Sequence, residues 1–251
     1  MNLIKAIRLK QKKGLVPVIA EIKRRIPKLA KERSLERDLR DAGVFARLYS
    51  EGGAVGISLV AEKKHFGGQP EIDIPSVLGS VKLPLLIKDF IFDKEKVDFY
   101  VKLISKIGKK ELSRVTMVLI SHRIKMNVEE LARYIYKQGI SVLIETRGID
   151  DLKFITLPER IPLMIGINNK NIDELETDKD KVKLTKKLMS DYRGIIGKTI
   201  FISESGHRRS RDVRISIEAG ADAVLVGTAF MQAEDPTDIV GNFVNALRKE
   251  S

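Results

Sequence analysis

Short apolar runs recur along the chain, each followed by a longer stretch in which apolar positions return every three or four residues. The runs cover residues 16–22, 54–60, 83–87, 115–120, 141–144, 163–167, 199–202 and 223–226. They are rich in Val, Ile and Leu and alternate little, as strands buried on both faces should. The spacing between them predicts helices over 39–51, 94–107, 128–138, 181–192, 210–219 and 235–248. Glycines at Gly52-Gly53, Gly139 and Gly220 close three of these helices. The pieces after strands two and five are shorter. Eight strands alternating with helices predict one (β/α)8 barrel of the α/β class, a single domain over residues 1–251. Within residues 1–14, Leu3, Ile4, Ile7 and Leu9 fit a short extra helix covering the bottom of the barrel. A doubly wound open sheet is the structural alternative, but no GxGxxG follows the first strand.

Composition narrows the class. The 251 residues carry 43% hydrophobic side chains, too many for a disordered chain. There is no Cys, so no disulfide framework, thiolate metal site or cysteine nucleophile is available. Much Lys, Arg and Glu with no Cys leans towards a thermophile. Met1 to Gly14 is basic and amphipathic without the apolar core of a signal peptide, and no long apolar run occurs, so a cytoplasmic protein with no membrane contact is expected. The 46 Lys+Arg against 34 Asp+Glu give a net charge of +12. Residues 1–40 hold 13 Lys+Arg against 4 Asp+Glu, most of that excess. A solvated basic face, a site for phosphate or another small anion, and a nucleic-acid surface would all produce it. The last lacks any aromatic-rich basic motif, so no nucleic acid is expected.

In a barrel the chemistry sits at the C-terminal ends of the strands. Strand one ends in Glu21, Ile22, Lys23 and Arg24, strand three in Lys88 and Asp89, and strand five in Glu145. Strand six ends in Asn168, Asn169 and Lys170, strand seven in Glu204, Ser205 and Gly206, and strand eight in Gly227 and Thr228. Alternation points Glu21 and Lys23 the same way, into the mouth. Two lysines and three glutamates at one mouth are costly to bury without a purpose. Such a set suits proton transfer: a Lys beside carboxylates stays protonated as a donor, and a Glu in a partly apolar site is tuned to accept. A Schiff-base lysine also stays open at this point. The glycine turns after strands seven and eight suit a phosphate, since glycine admits close backbone approach and a following helix offers free N–H groups.

The strings Ile19-Ala20-Glu21-Ile22-Lys23-Arg24, Leu86-Ile87-Lys88-Asp89-Phe90, Leu143-Ile144-Glu145, Ile165-Gly166-Ile167-Asn168-Asn169 and Ser203-Glu204-Ser205-Gly206 resemble the indole-3-glycerol phosphate synthase family, as does Glu62 to Gly67 after strand two. The resemblance implies ring closure of 1-(2-carboxyphenylamino)-1-deoxyribulose 5-phosphate with loss of CO2 and water, a carboxy-lyase step of tryptophan biosynthesis that uses no metal and no organic cofactor. By motif, Lys88 corresponds to the general acid and Glu145 to the acid/base of the dehydration. Lys23 corresponds to the substrate-positioning lysine. Glu21, Asn168, Glu204 and Ser205 correspond to residues that orient the intermediate and these lysines. Gly206, Gly227, Thr228 and Lys170 correspond to the phosphate and anion side, and Phe66 and Phe90 to aromatic positions beside the anthranilate ring. The partner implied is a small phosphorylated substrate, with a monomer or weak homo-oligomer expected and other tryptophan-pathway enzymes as conceivable partners.

The sequence also departs from that pattern. Ile26 and Lys28 stand where hydroxyls are usual, Ala61 where Thr is common, and Lys170 where Arg is usual, which loses a bidentate fork. Arg24, Arg25, Lys28 and Lys31 are candidates to replace the lost anion contacts. The loop at 24–37 is long and highly charged, and mobility is expected of it. A related lyase or isomerase on another phosphorylated substrate, or a non-catalytic phosphate-binding barrel, are the competing readings. Phosphoribosylanthranilate isomerase is disfavoured by the missing strand-one Cys. The histidine-pathway barrels are disfavoured because they use Asp where Glu21 and Glu145 stand.

Overall fold

A computed structural model of the chain describes residues 1–27, 38, 40–124, 128–152, 161–175, 181–196 and 199–248. Among them, eight parallel strands close into a barrel in chain order. They are β1 (Val18–Ile22), β2 (Gly56–Val60), β3 (Leu85–Lys88), β4 (Val115–Ile120), β5 (Ser141–Thr146), β6 (Leu163–Asn168), β7 (Ile200–Glu204) and β8 (Ala223–Val226). Closure is made by β8 pairing with β1, Val18 opposite Val224. The helices are α1 (Leu3–Gln11), α2 (Ala42–Glu51), α3 (Pro70–Ser80), α4 (Lys94–Ile107), α5 (Val128–Lys137), α6 (Ile149–Leu152), α7 (Lys183–Ile196), α8 (Ser210–Glu218), α9 (Thr228–Met231) and α10 (Pro236–Val244). None of the described helices is long and apolar enough to cross a membrane.

All eight predicted strands are present, and four of them reach further towards the mouth than their apolar runs. Lys88, Thr146, Asn168 and Glu204 lie inside strands, because ladder hydrogen bonds need only backbone and tolerate a polar side chain. α2 begins three residues later than its periodicity suggests. Asp41 stays extended and its carboxylate accepts the N–H of Val44 at 3.0 Å, which fixes the start at Ala42. α10 stops at Val244, short of 248, and α7 runs a turn past its expected end to Ile196. The segments at 28–37 and 153–160, with Lys28, Lys31 and most of the charged loop after β1, lie outside the described residues.

Two apolar layers follow from the strand alternation. One lies between strands and helices and holds Tyr49, Tyr100, Tyr192 and Phe201. The other fills the barrel with Ile19, Leu86, Val118, Leu143, Met164, Ile202 and Leu225, and continues into Leu3, Ala6 and Ile7 of α1. α1 therefore plugs the N-terminal end of the barrel, as its sequence predicts. Arg8 pins it there through Asp222 at 3.0 Å, and Asp222 also accepts from Arg193 at 2.6 Å and from the N–H of Phe201 at 2.9 Å. With the bottom closed, the open end is the mouth where the charged strand ends converge.

Candidate active site

Most strand-end residues singled out from the sequence reach the mouth; Ile22, Arg24 and Asn169 turn into the structure around it instead. Lys88 stands at the centre. Its Nζ lies 2.9 Å from Glu204 Oε2, 3.0 Å from Glu145 Oε2 and 4.0 Å from Glu21 Oε2. Lys23 pairs with Glu21 at 2.7 Å. All five side chains are at most a tenth exposed. Burying charges at this density is tolerable only because the partners and hydrogen bonds are in place. Asn168 fixes one of them: its Nδ2 donates to Glu145 Oε1 at 3.0 Å, while its Oδ1 accepts the N–H of Lys170 at 2.9 Å. The neighbouring Asn169 turns away and knits Thr185, Ser203 and the carbonyl of Glu204 behind the mouth.

Glu204 is wholly buried, and burial with the nearby Glu145 and Glu21 pushes its carboxyl up to about 8 despite the pull of Lys88. It therefore holds a proton at neutral pH. Its Oε1 has no hydrogen-bond partner among the described residues and lies over Gly166, where a Cβ would run into it. Glycine in the middle of β6 is thus required by the carboxyl of β7.

Two cavities open from this cluster and share Glu21 and Lys23 in their walls. The first, about 380 Å³, is largely apolar: Val60, Phe66, Phe90, Val118, Ile120 and Ile172 line it beside Lys88 and Glu145. Glu62 sets Phe66 there, its carboxylate accepting the N–H groups of Lys64, His65 and Phe66 at 2.9, 2.7 and 3.0 Å. Phe90 stacks on Phe92 with centroids 6.0 Å apart and carries the Arg123 guanidinium 4.8 Å over its ring. The second cavity, about 330 Å³, is polar, with Lys170, Ser205, Gly206, His207, Arg208, Gly227 and Thr228 in its walls. Its β7 turn is strained: Ser205 and Gly206 take φ of 62° and 82° in succession. A non-glycine residue in that region is held by its surroundings and often marks a ligand site. At Gly206 a Cβ would sit 2.6 Å from the Lys181 carbonyl oxygen, and at Gly227 2.6 Å from Glu21 Oε1. Both glycines are therefore needed for the turns to close on the cavity.

The altered anchors fall elsewhere. Ile26 packs against the layer between strands and helices and lines neither cavity. Ala61 is buried, and the backbone of Gly68 lies directly on it. Arg24 is not an anion contact. It is buried against Asp73, with Nη1 donating to the carbonyls of Asp38, at 2.9 Å, and Arg40. Arg25 is half-buried, and its Nε has no hydrogen-bond partner among the described residues. Lys170 keeps the place of the expected Arg and lines the polar cavity.

Sequence reasoning missed Ser58, whose hydroxyl donates to Glu21 Oε2 at 3.3 Å, and it missed His207 and Arg208. A signal for the first was available. Ser58 interrupts an apolar strand two residues before the inward-facing Val60, so it shares that parity. His207 is buried, and its Nε2 meets Ser203 and Ser216 at 3.2 and 3.0 Å. Burial pushes its imidazole down to about 4, against the opposing pull of Asp212.

The arrangement is a buried cluster of two lysines and three carboxyl groups with a largely apolar cavity on one side and a polar cavity on the other. Relatives match over most of their length. The chain is 37% identical over 246 residues to the indole-3-glycerol phosphate synthase of Pyrococcus furiosus, covering 98% of this chain and 97% of that one. It is 32% identical over 247 residues to the enzyme of the same name from Thermococcus kodakarensis, covering 97% of each, and 32% over 233 residues to that of Methanopyrus kandleri, covering 93% and 84%. A sequence model of indole-3-glycerol phosphate synthases matches residues 2–243, from α1 into α10 and through every strand end of the mouth. With pattern and length both shared, the chain belongs to the indole-3-glycerol phosphate synthase family.

Proposed function

We propose that the protein closes the indole ring of 1-(2-carboxyphenylamino)-1-deoxyribulose 5-phosphate, releasing CO2 and water. One observation carries the reading: Glu21 and Lys23 line both an apolar and a polar cavity, and Lys88, clamped by two carboxyl groups, lines the apolar one beside them. A substrate with an aromatic ring at one end and a phosphate at the other then has its reactive carbonyl over Lys88. The ring carbon bearing the carboxylate attacks that carbonyl carbon, and Lys88 supplies a proton to the oxygen as the bond forms. Loss of CO2 restores the aromatic ring, and the cations Lys23 and Lys88 favour expulsion from a site screened from water. The new hydroxyl then leaves as water. Glu145, oriented by Asn168, serves as the acid/base of that step, and Glu204, which holds a proton at neutral pH, keeps Lys88 in place. Glu21, tied to Lys23 and Ser58, orients the positioning lysine. Ser205, Gly206, Gly227 and Thr228 receive the phosphate, and Phe66 and Phe90 flank the ring.

Ile26 lies outside both cavities, so it takes no room from the substrate's carboxylate. That supports the synthase over a lyase or isomerase acting on another phosphorylated compound. The test is direct: incubation with the carboxyphenylamino-deoxyribulose phosphate should produce indole fluorescence. No turnover at any temperature at which the fold persists would sink the reading.

A further inference from the structure

The polar cavity is poorly supplied with positive charge for a dianion. Lys23 lies 2.7 Å from Glu21, and Lys88 is held between Glu204 and Glu145, so two lysines face three carboxyl groups in the centre of the mouth. His207, in the wall of the same cavity, is held neutral by burial near pH 7. The start of α8 does not make good the shortfall. Asp212, in its first turn, accepts the backbone N–H groups of Arg208 and Arg209, both at 2.9 Å, so those donors are already answered by an acid. Beyond the acid–base cluster, the basic side chains in the cavity wall are Lys170 and Arg208. Arg208 leaves the β7 turn, and its Nη1 donates to Gln232 Oε1 at 3.1 Å, just past α9. Its guanidinium thus reaches from the β7 turn to the residue that caps the end of α9, the short helix following the β8 turn.

We propose that Arg208 is a phosphate-binding residue of this chain, its guanidinium closing the polar cavity over the substrate's terminal phosphate. The inference rests on the phosphorylated-substrate reading above. The planar fork of arginine matches two phosphate oxygens at once, which a lysine cannot do. In this family member the bidentate contact is thereby moved from the position of Lys170 to the turn after β7.

Calorimetric titration of the intact protein with glycerol 3-phosphate, which carries the phosphate and no aromatic ring, reads the cavity without turnover. R208Q keeps an amide for Gln232 and should weaken binding by roughly tenfold or more, the usual effect of losing a charge-assisted contact. R208K should recover part of that loss. In turnover, KM should rise by a similar factor while kcat stays within about threefold, the signature of lost binding with the chemistry intact. Binding by R208Q within about twofold of the parent overturns the assignment, as does a parent that binds no glycerol 3-phosphate. A parent that binds the probe through Arg208 yet forms no indole sinks the synthase reading and leaves the phosphate site standing. Unfolding curves separate a lost contact from a lost fold; should R208Q unfold early, R208K carries the test.

Discussion

Lys88 draws its chemistry from what surrounds it. Two carboxyl groups lie within 3.0 Å of its Nζ, and the apolar wall beside it limits competition from water. Lys88→Ala and Glu145→Ala should each lower kcat by roughly a hundred- to ten-thousandfold, the scale of a lost general acid or base. Both variants should keep the parent's circular dichroism, since each leaves the barrel's apolar layers untouched. Near-parental rates in both would show the roles to be wrongly assigned. Glu204 makes a second prediction, with its own sign. Its folded-state pKa of about 8 lies above the unfolded value of 4.5, so the folded form holds a proton that the unfolded chain has lost. Its stabilising contribution is complete below pH 4.5 and declines as pH rises through about 8. Glu204→Gln, which cannot titrate, should therefore gain on the parent between those limits and level off above them. Urea unfolding at a series of pH values measures this, and a pH-independent difference between the two proteins would contradict it.

At the scale of elements, the mouth depends on how β1 returns to α2. Arg24 holds the carbonyls of Asp38 and Arg40 and is itself held by Asp73, which also accepts the N–H of Gln69 at 3.2 Å at the start of α3. One buried ion pair thus ties the base of the charged loop to the neighbouring helix. Asp73→Ala leaves a buried guanidinium uncompensated and should cost about 3–5 kcal/mol, with the double variant Arg24→Ala/Asp73→Ala costing less than the two singles combined. Denaturant midpoints decide it: a loss below about 1 kcal/mol in Asp73→Ala would mean that water reaches the pair. The same pair shows where the sequence stops being legible. Strand count, chain order, the α1 plug and the identity of the mouth residues were readable, because hydrophobic period and strand alternation are local properties. Partnership was not readable. Arg24 sits beside Lys23 in a basic run and looks like another anion ligand, yet its partner lies 49 residues away on a different helix. Arg208 was not legible either, because nothing local shows that its side chain lines the polar cavity and reaches Gln232, 24 residues further on.

The whole molecule carries +12, and the substrate proposed for it carries a phosphate and a carboxylate. The centre of the mouth does not supply that attraction, because its lysines are matched by carboxyl groups. The attraction must come from the wider field and from the cations around the polar cavity, Lys170 and Arg208. A field of that kind acts on encounter and is weakened by salt, while ion pairs at a few ångströms inside a buried cluster are screened far less. The two contributions should therefore separate in kinetics. Raising ionic strength from about 0.01 M to about 1 M shortens the screening length from about 30 Å to about 3 Å, and kcat/KM should fall several-fold across that range. Over the same range kcat should change little, because the Lys88–Glu145–Glu204 geometry is set by contacts within a buried cluster, where salt screens far less. A kcat that falls in parallel with kcat/KM would place the salt-sensitive charges inside the proton-transfer cluster. A flat kcat/KM would show that the excess of Lys and Arg has no part in substrate capture and serves the surface alone.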